Sequence, residues 1–210
     1  MYVYLLSIVA VFFSNPWVMI KQLISSYGYS AIFVLMLLES SSLPVPSEVV
    51  LPLAGLLSSK GMLNLYFAFA AALAGSIGGL AVDYLLGYYL GKDIVYKHLR
   101  DFHIKKRDLD AFDAWFDRNA IGAIFLSRLI PVARTVMSVP AGFARMPLKQ
   151  FFSYSIAGSF IWDIVLMYFG FYLLSARSAS IVLASIGAFA IVLYLIYALF
   201  IRNMRQHRKG

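Results

Sequence analysis

Cysteine is absent from the 210 residues, which excludes disulfides, thiolate metal sites and cysteine nucleophiles. Charge is scarce: 13% of the residues are charged against 61% hydrophobic, whereas soluble domains usually carry roughly a quarter charged residues. That balance excludes a soluble domain and makes the chain an integral membrane protein, long enough for one membrane domain, 1–210, and no large soluble one. Histidine is limited to His98, His103 and His207, all in polar stretches, so neither a metal site nor a cofactor is expected. Residues 2–13 are apolar but lack a basic segment before them and a small-residue cleavage site after them, so no cleavable signal peptide is expected.

The net charge of +8 does not point to nucleic acid, because the basic residues gather at segment ends. Lys92, Lys97, Arg100, Lys105, Lys106 and Arg107 fall in one polar stretch, and Arg202, Arg205, Arg208 and Lys209 form a tail, 202–210. The positive-inside rule places both 92–118 and the C-terminus in the cytoplasm of a multi-pass cell-membrane protein, a prokaryotic plasma membrane being the simplest host. Residues 62–91, 148–174 and 179–201 are long and apolar enough to span. The mixed segment 16–28 reads as a surface helix, and Leu109, Phe112, Trp115 and Phe116 recur at the spacing of an amphipathic helix within 92–118.

Two apolar stretches are too broken to span and carry charge with them. Residues 29–58 contain Glu39, Pro44, Pro46 and Glu48; residues 120–144 contain Arg128, Pro131 and Arg134. Each reads as a re-entrant hairpin broken at its prolines, since backbone unpaired at membrane depth is tolerated only against protein or a cavity. On insertion scales a charge at the bilayer centre costs roughly 2.5–3.5 kcal/mol, so the four are expected to face one another rather than lipid.

The halves match in order. Ala31-Ile-Phe33 resembles Ala123-Ile-Phe125, and Pro52 to Gly55 resembles Pro140 to Gly142 with one residue missing. Met62 to Ser76 resembles Met146 to Ser159. The expected fold is therefore all-α, with a first repeat over 16–91 and a second over 108–175. With 92–118 and the tail on one side of the membrane the repeats are inverted, an arrangement common in secondary transporters. Ala71, Gly75, Gly79, Asp83, Gly87 and Gly91 recur every fourth residue, a small-residue stripe that suits helix packing within the chain or in a homo-oligomer.

Two arginine forks suit a phosphate-sized anion, because guanidinium groups bind its oxygens bidentately. Carboxyls withdrawn from water favour the proton-bound form, so Glu39 and Glu48 suit proton carriers. Asp83 and Asp163, on broadly corresponding spans, suit either hydrogen-bonded buried carboxyls or an accessory proton path. Intramembrane hydrolysis would need a nucleophile with a base or a metal, and no membrane-embedded His or Cys is present, so an enzyme is not expected.

The run Phe125-Leu-Ser-Arg128-Leu-Ile-Pro131-Val-Ala-Arg134, continuing to Pro140-Ala141-Gly142, resembles the signature of the DedA family, also called the VTT-domain or SNARE-associated family. Glu39, the Pro44-x-Pro46-x-Glu48 run and Ala54-Gly55 resemble its first re-entrant segment. The resemblance covers residues ~16–175 and implies translocation of a phosphate-bearing membrane lipid. The cargo would be a polyprenyl phosphate such as undecaprenyl phosphate, or a phospholipid, moved with protons. It further implies that Arg128 and Arg134 bind the phosphate while Glu39 and Glu48 couple protons or gate. A proton or small-ion antiporter and an energy-independent scramblase are the alternatives.

Overall fold

The computed structural model describes residues 16–43, 45–101, 106–131 and 133–173, with the backbone alone given for 92–101, 106–113, 117 and 173. Residues 1–15, Pro44, the expected span 179–201 and the tail 202–210 lie outside the described residues. Among the described residues every regular element is a helix.

Helix α1, Pro16–Tyr27, begins on a proline, whose missing N–H costs nothing in a first turn. It buries Ile20 and Ile24. Helices α2, Tyr29–Ser40, and α3, Ser47–Ser59, are the two arms of the first broken segment. The break between them holds Pro46, whose carbonyl accepts from the N–H groups of Val49 and Val50.

Helix α4 runs Leu65–Asp101 with non-helical backbone at Gly91. The apolar part ends at that glycine, so the expected limit of the span coincides with the kink. Helix α5, Lys106–Ser127, departs from expectation. The amphipathic segment and the first arm of the second hairpin form one helix, because no proline interrupts it and the Asn119 side chain donates back to the Trp115 carbonyl instead of turning the chain. Phe116, expected on a membrane surface, is buried in the protein core with Ala123, Ile124 and Phe151.

The second arm is shorter than its counterpart: α6, Ala133–Val136, and α7, Ser138–Phe143, replace one continuous helix. Helix α8, Leu148–Tyr168, closes with a π-helical turn, Phe169–Leu173. Leu65–Gly91 and Leu148–Tyr172 are long and apolar enough to cross a membrane.

Contacts recur between the halves. On α3, a Cβ at Gly55 would collide with the Met167 carbonyl and Phe171 N; on α7, one at Gly142 would collide with the Tyr84 carbonyl and Tyr88 N. Reciprocally, Gly170 lies on the Pro52 carbonyl and Gly87 on the Val139 carbonyl. Gly75 faces the Phe33 carbonyl and Met36, and Gly158 faces the Phe125 carbonyl and Arg128. These contacts pair Pro52 with Val139, so Pro52 to Gly55 aligns with Val139 to Gly142 and the missing residue of the sequence match disappears. In the same register Asp83 pairs with Leu166 and Asp163 with Leu80, so the two aspartates occupy matching helices but not matching positions.

The arms also end alike. Gly61, at φ 73°, and Arg145, at φ 51°, stand just past α3 and α7. The Met62 N–H returns to Leu57 and the Met146 N–H to Ala141, the hydrogen bonding of a Schellman cap. Gly75, Gly79 and Gly87 are all spent against α2 and α7, so these three positions of the stripe pack within the chain, whereas a Cβ at Gly91 would meet nothing among the described residues.

Two apolar clusters result. One joins Ile24, Ile32, Leu53, Ala72 and Met167; the other joins Leu80, Phe116, Ile124, Ala141 and Phe151.

Candidate functional site

The charged residues meet where the hairpin breaks converge. Glu39, in the last turn of α2, is 3% exposed, and Arg134 of α6 is 4% exposed. Arg134 addresses both carboxylate oxygens: its Nε lies 3.2 Å from Glu39 Oε1, and its Nη2 donates to Oε2 at 3.2 Å. Its Nη1 donates to Ser47 Oγ at 3.4 Å, and its guanidinium lies 5.4 Å from the Trp162 ring centroid. Ser40 Oγ donates to Glu39 Oε2 at 3.1 Å. A bidentate fork of this kind is the form in which a buried charge pair best offsets its lost hydration.

Arg128 is 1% exposed. It donates to the Arg134 carbonyl, to Ser138 Oγ at 2.9 Å and to Ser155 Oγ at 3.3 Å. Its guanidinium lies 6.0 Å from the Phe151 ring centroid, and its Nε has no hydrogen-bond partner among the described residues. Among the described residues no carboxylate lies directly against Arg128; neutral oxygens hold it.

Asp83 of α4 is 1% exposed and accepts from Ser42 Oγ. Ser42 has a left-handed backbone, φ 58°, and its Oγ also lies 2.9 Å from the Thr135 carbonyl. The hydroxyl carries one proton and serves these acceptors in turn. Through Ser42 the break of the first hairpin touches both α4 and α6. Asp163 of α8 is fully buried, and neither of its oxygens has a hydrogen-bond partner among the described residues.

Glu39, Arg128 and Arg134 are thus brought together, with Asp83 and Asp163 at the margins. Glu48 is not brought in. It sits exposed in the first turn of α3, within electrostatic reach of Glu39 but outside the hydrogen-bonded cluster. Pro46 caps α3, and Pro131 is exposed in the turn before α6.

Sequence reading missed the residues that hold the arginines: Ser47, Ser138, Ser155, Trp162 and Phe151. One signal was legible. Ser155, Ser159, Trp162 and Asp163 recur at helical spacing, a polar stripe along an otherwise apolar α8.

The family model of the VTT domain matches residues 45–172. That stretch includes Arg128, Arg134, Asp83 and Asp163 and leaves Glu39 just ahead of it. Undecaprenyl phosphate transporter A of Staphylococcus aureus is 36% identical over 155 residues, 72% of this chain and 76% of that protein. The protein of the same name in Bacillus subtilis is 33% identical over 150 residues, 70% of this chain and 72% of that protein. A protein of Lactococcus lactis named alkaline phosphatase-like is 31% identical over 156 residues, 72% of this chain and 73% of that protein. No solved structure matches.

Proposed function

Because the chain belongs to the VTT-domain family, also called the DedA family, we propose that it carries a phosphate-bearing lipid across the bacterial cell membrane, with undecaprenyl phosphate as the leading cargo. The observation that carries this reading is the side-by-side burial of Arg128 and Arg134 at the meeting of two broken segments, Arg128 with an unpartnered Nε. The names of the relatives in Staphylococcus and Bacillus supply the lipid; two adjacent guanidinium groups supply the phosphate chemistry.

The broken segments are read as re-entrant hairpins of an inverted repeat. The acidic hairpin opens outward and the basic one opens toward the cytoplasm, with 92–118 and the C-terminus cytoplasmic. The reciprocal packing of Gly55 on Met167 and of Gly142 on Tyr84 supports the repeat. The Glu39–Arg134 pair acts as a lock. Protonating Glu39 releases Arg134 from the acidic hairpin and opens the arginines to phosphate. Glu48, exposed on the same hairpin, is the proton's point of entry, and Asp83 and Asp163 lie along an accessory path. This is transport without bond cleavage, and the chain is read as a carrier rather than an enzyme.

Reconstitution in liposomes containing undecaprenyl phosphate tests the reading. Arg128→Ala and Arg134→Ala, each confirmed folded, are expected to lower head-group translocation at least tenfold. Arg→Lys at either position should also weaken it, since lysine lacks the planar fork. Undiminished translocation by the alanine variants would falsify the proposal. The closed Glu39–Arg134 pair also favours a second reading, proton-driven exchange of a small ion with the arginines only as locks. Ion flux in liposomes free of the phosphate lipid would select it.

A further inference from the structure

Asp163 is the buried group that the lock does not use. It is fully buried on α8, and neither oxygen meets a hydrogen-bond donor among the described residues. An ionised carboxylate in that setting would lack both water and a donor among the described residues, an arrangement strongly disfavoured over the protonated form. A nearby cation does not complete it. Arg134 and Glu39 are both within electrostatic reach of Asp163, but Arg134 spends Nε and Nη2 on Glu39 and Nη1 on Ser47. The Arg134 guanidinium nonetheless lies over the ring of Trp162, the residue next to Asp163 in the chain. One arginine is thus within electrostatic reach of two acids from different halves of the molecule and pairs with only one of them.

We propose that Glu39 and Asp163 share a single proton and compete for Arg134. On this proposal, with the contacts seen here, Glu39 is ionised and paired and the proton is on Asp163. In the alternative, the O–H bond at Asp163 breaks, an O–H bond forms at Glu39, and Arg134 turns to Asp163. The cluster's net charge is the same in both, so neither arrangement leaves an extra charge buried. The proton then belongs to the pair of acids rather than to either one. Asp83 on α4, held by Ser42, Arg128 at the end of α5, held by serines, and the exposed Glu48 on α3 surround the cluster without entering the exchange. Its consequence for transport rests on the lipid-carrier reading; the shared proton does not. Moving the proton between halves would move Arg134 between the acidic hairpin and α8.

Infrared spectroscopy of the purified protein at neutral pH tests the exchange directly, in an Asp83→Asn background that removes the other buried acid among the described residues. The parent should show the carbonyl band of one protonated carboxyl. Asp163→Asn should lose it, because Glu39 then stays ionised against Arg134. Glu39→Gln should lose it too, because Arg134 passes to Asp163 and ionises it. Arg134→Gln should show two carboxyls' worth. A parent without the band, or a band that survives Glu39→Gln, overturns the proposal, and the parent spectrum requires only that the Asp83→Asn background fold. In liposomes containing undecaprenyl phosphate, Asp163→Asn should lose the stimulation of translocation by an imposed pH gradient, and Asp163→Glu should keep it. Gradient stimulation unchanged in Asp163→Asn counts against the exchange even where the arginine variants uphold the carrier. Translocation surviving Arg128→Ala and Arg134→Ala counts against the carrier and leaves the infrared result standing.

Discussion

Glu39 and Arg134 show how a single pair can be weakly stabilising and yet costly to break. Both are almost wholly withdrawn from solvent, and the attraction between them is spent largely on offsetting lost hydration. Removing one partner leaves the other charge buried without a counter-ion, at a cost of about 3–5 kcal/mol. Glu39→Gln is therefore expected to lower unfolding stability in detergent by about 3 kcal/mol by that measure, softened to the extent that Asp163 takes over Arg134. Glu39→Met combined with Arg134→Met should cost much less than the sum of the single changes, since replacing a buried pair by apolar side chains is often nearly neutral. Denaturant unfolding of the three variants measures this; additive losses would show that the two side chains stabilise the fold independently. Three of the four charges singled out in the sequence lie in this cluster, and the fourth, Glu48, does not. Its spacing from Glu39 bridges a helix end, a break and a helix start. Which way the first turn of α3 faces depends on the backbone of the break, Ser42 at φ 58° included, and no periodicity reports that.

Helix packing at the next scale is set by where side chains are missing. A Cβ at Gly87 would overlap the Val139 carbonyl, and one at Gly142 the backbone of Tyr84 and Tyr88; backbone atoms of packed helices cannot yield as a flexible side chain can. Gly122, on the exposed face of α5, has nothing within 4 Å of its would-be Cβ. The same substitution should act oppositely at the two places. Gly87→Ala should destabilise the protein by pushing α7 off α4, an overpacking cost of about 1–3 kcal/mol. Gly122→Ala should be neutral or stabilise by up to about 1 kcal/mol through helix propensity alone. Thermal unfolding of the two variants side by side checks the contrast, and equal shifts would refute the packing account. The stripe from Gly75 to Gly87 was legible because its spacing is that of one helix face. The continuity of α5 was not, because charge content changes within it while helical backbone does not. Nor was the role of Trp162, which stands in the second half where the first has Gly79: the glycine admits α2, whereas the indole sits against Arg134.

For the molecule as a whole, the two broken segments are joined at few points. Arg134 reaches Glu39 and Ser47, and Ser42 reaches the Thr135 carbonyl at 2.9 Å. Among the described residues α2 and α3 are otherwise held mainly by packing against α4, α8 with its π-helical turn, and α1, and α7 is held on α4 through Gly142 and Gly87. Each broken segment thus has its own apolar seat, and on the proposed carrier reading the polar contacts between their tips must part for a phosphate to pass between them. That division can be tested without disturbing either seat, because the chain has no cysteine of its own. Ser42→Cys with Thr135→Cys places one thiol on each tip. Bridging them with a short bifunctional thiol reagent is expected to reduce translocation of undecaprenyl phosphate in liposomes at least tenfold. Either single cysteine treated the same way should keep its activity. A reducible bridge should restore transport when cleaved, which separates locking from damage. Transport at the unbridged rate while the tips are tied would mean that the lipid head group crosses elsewhere and that Glu39 and Arg134 hold the fold together without gating it.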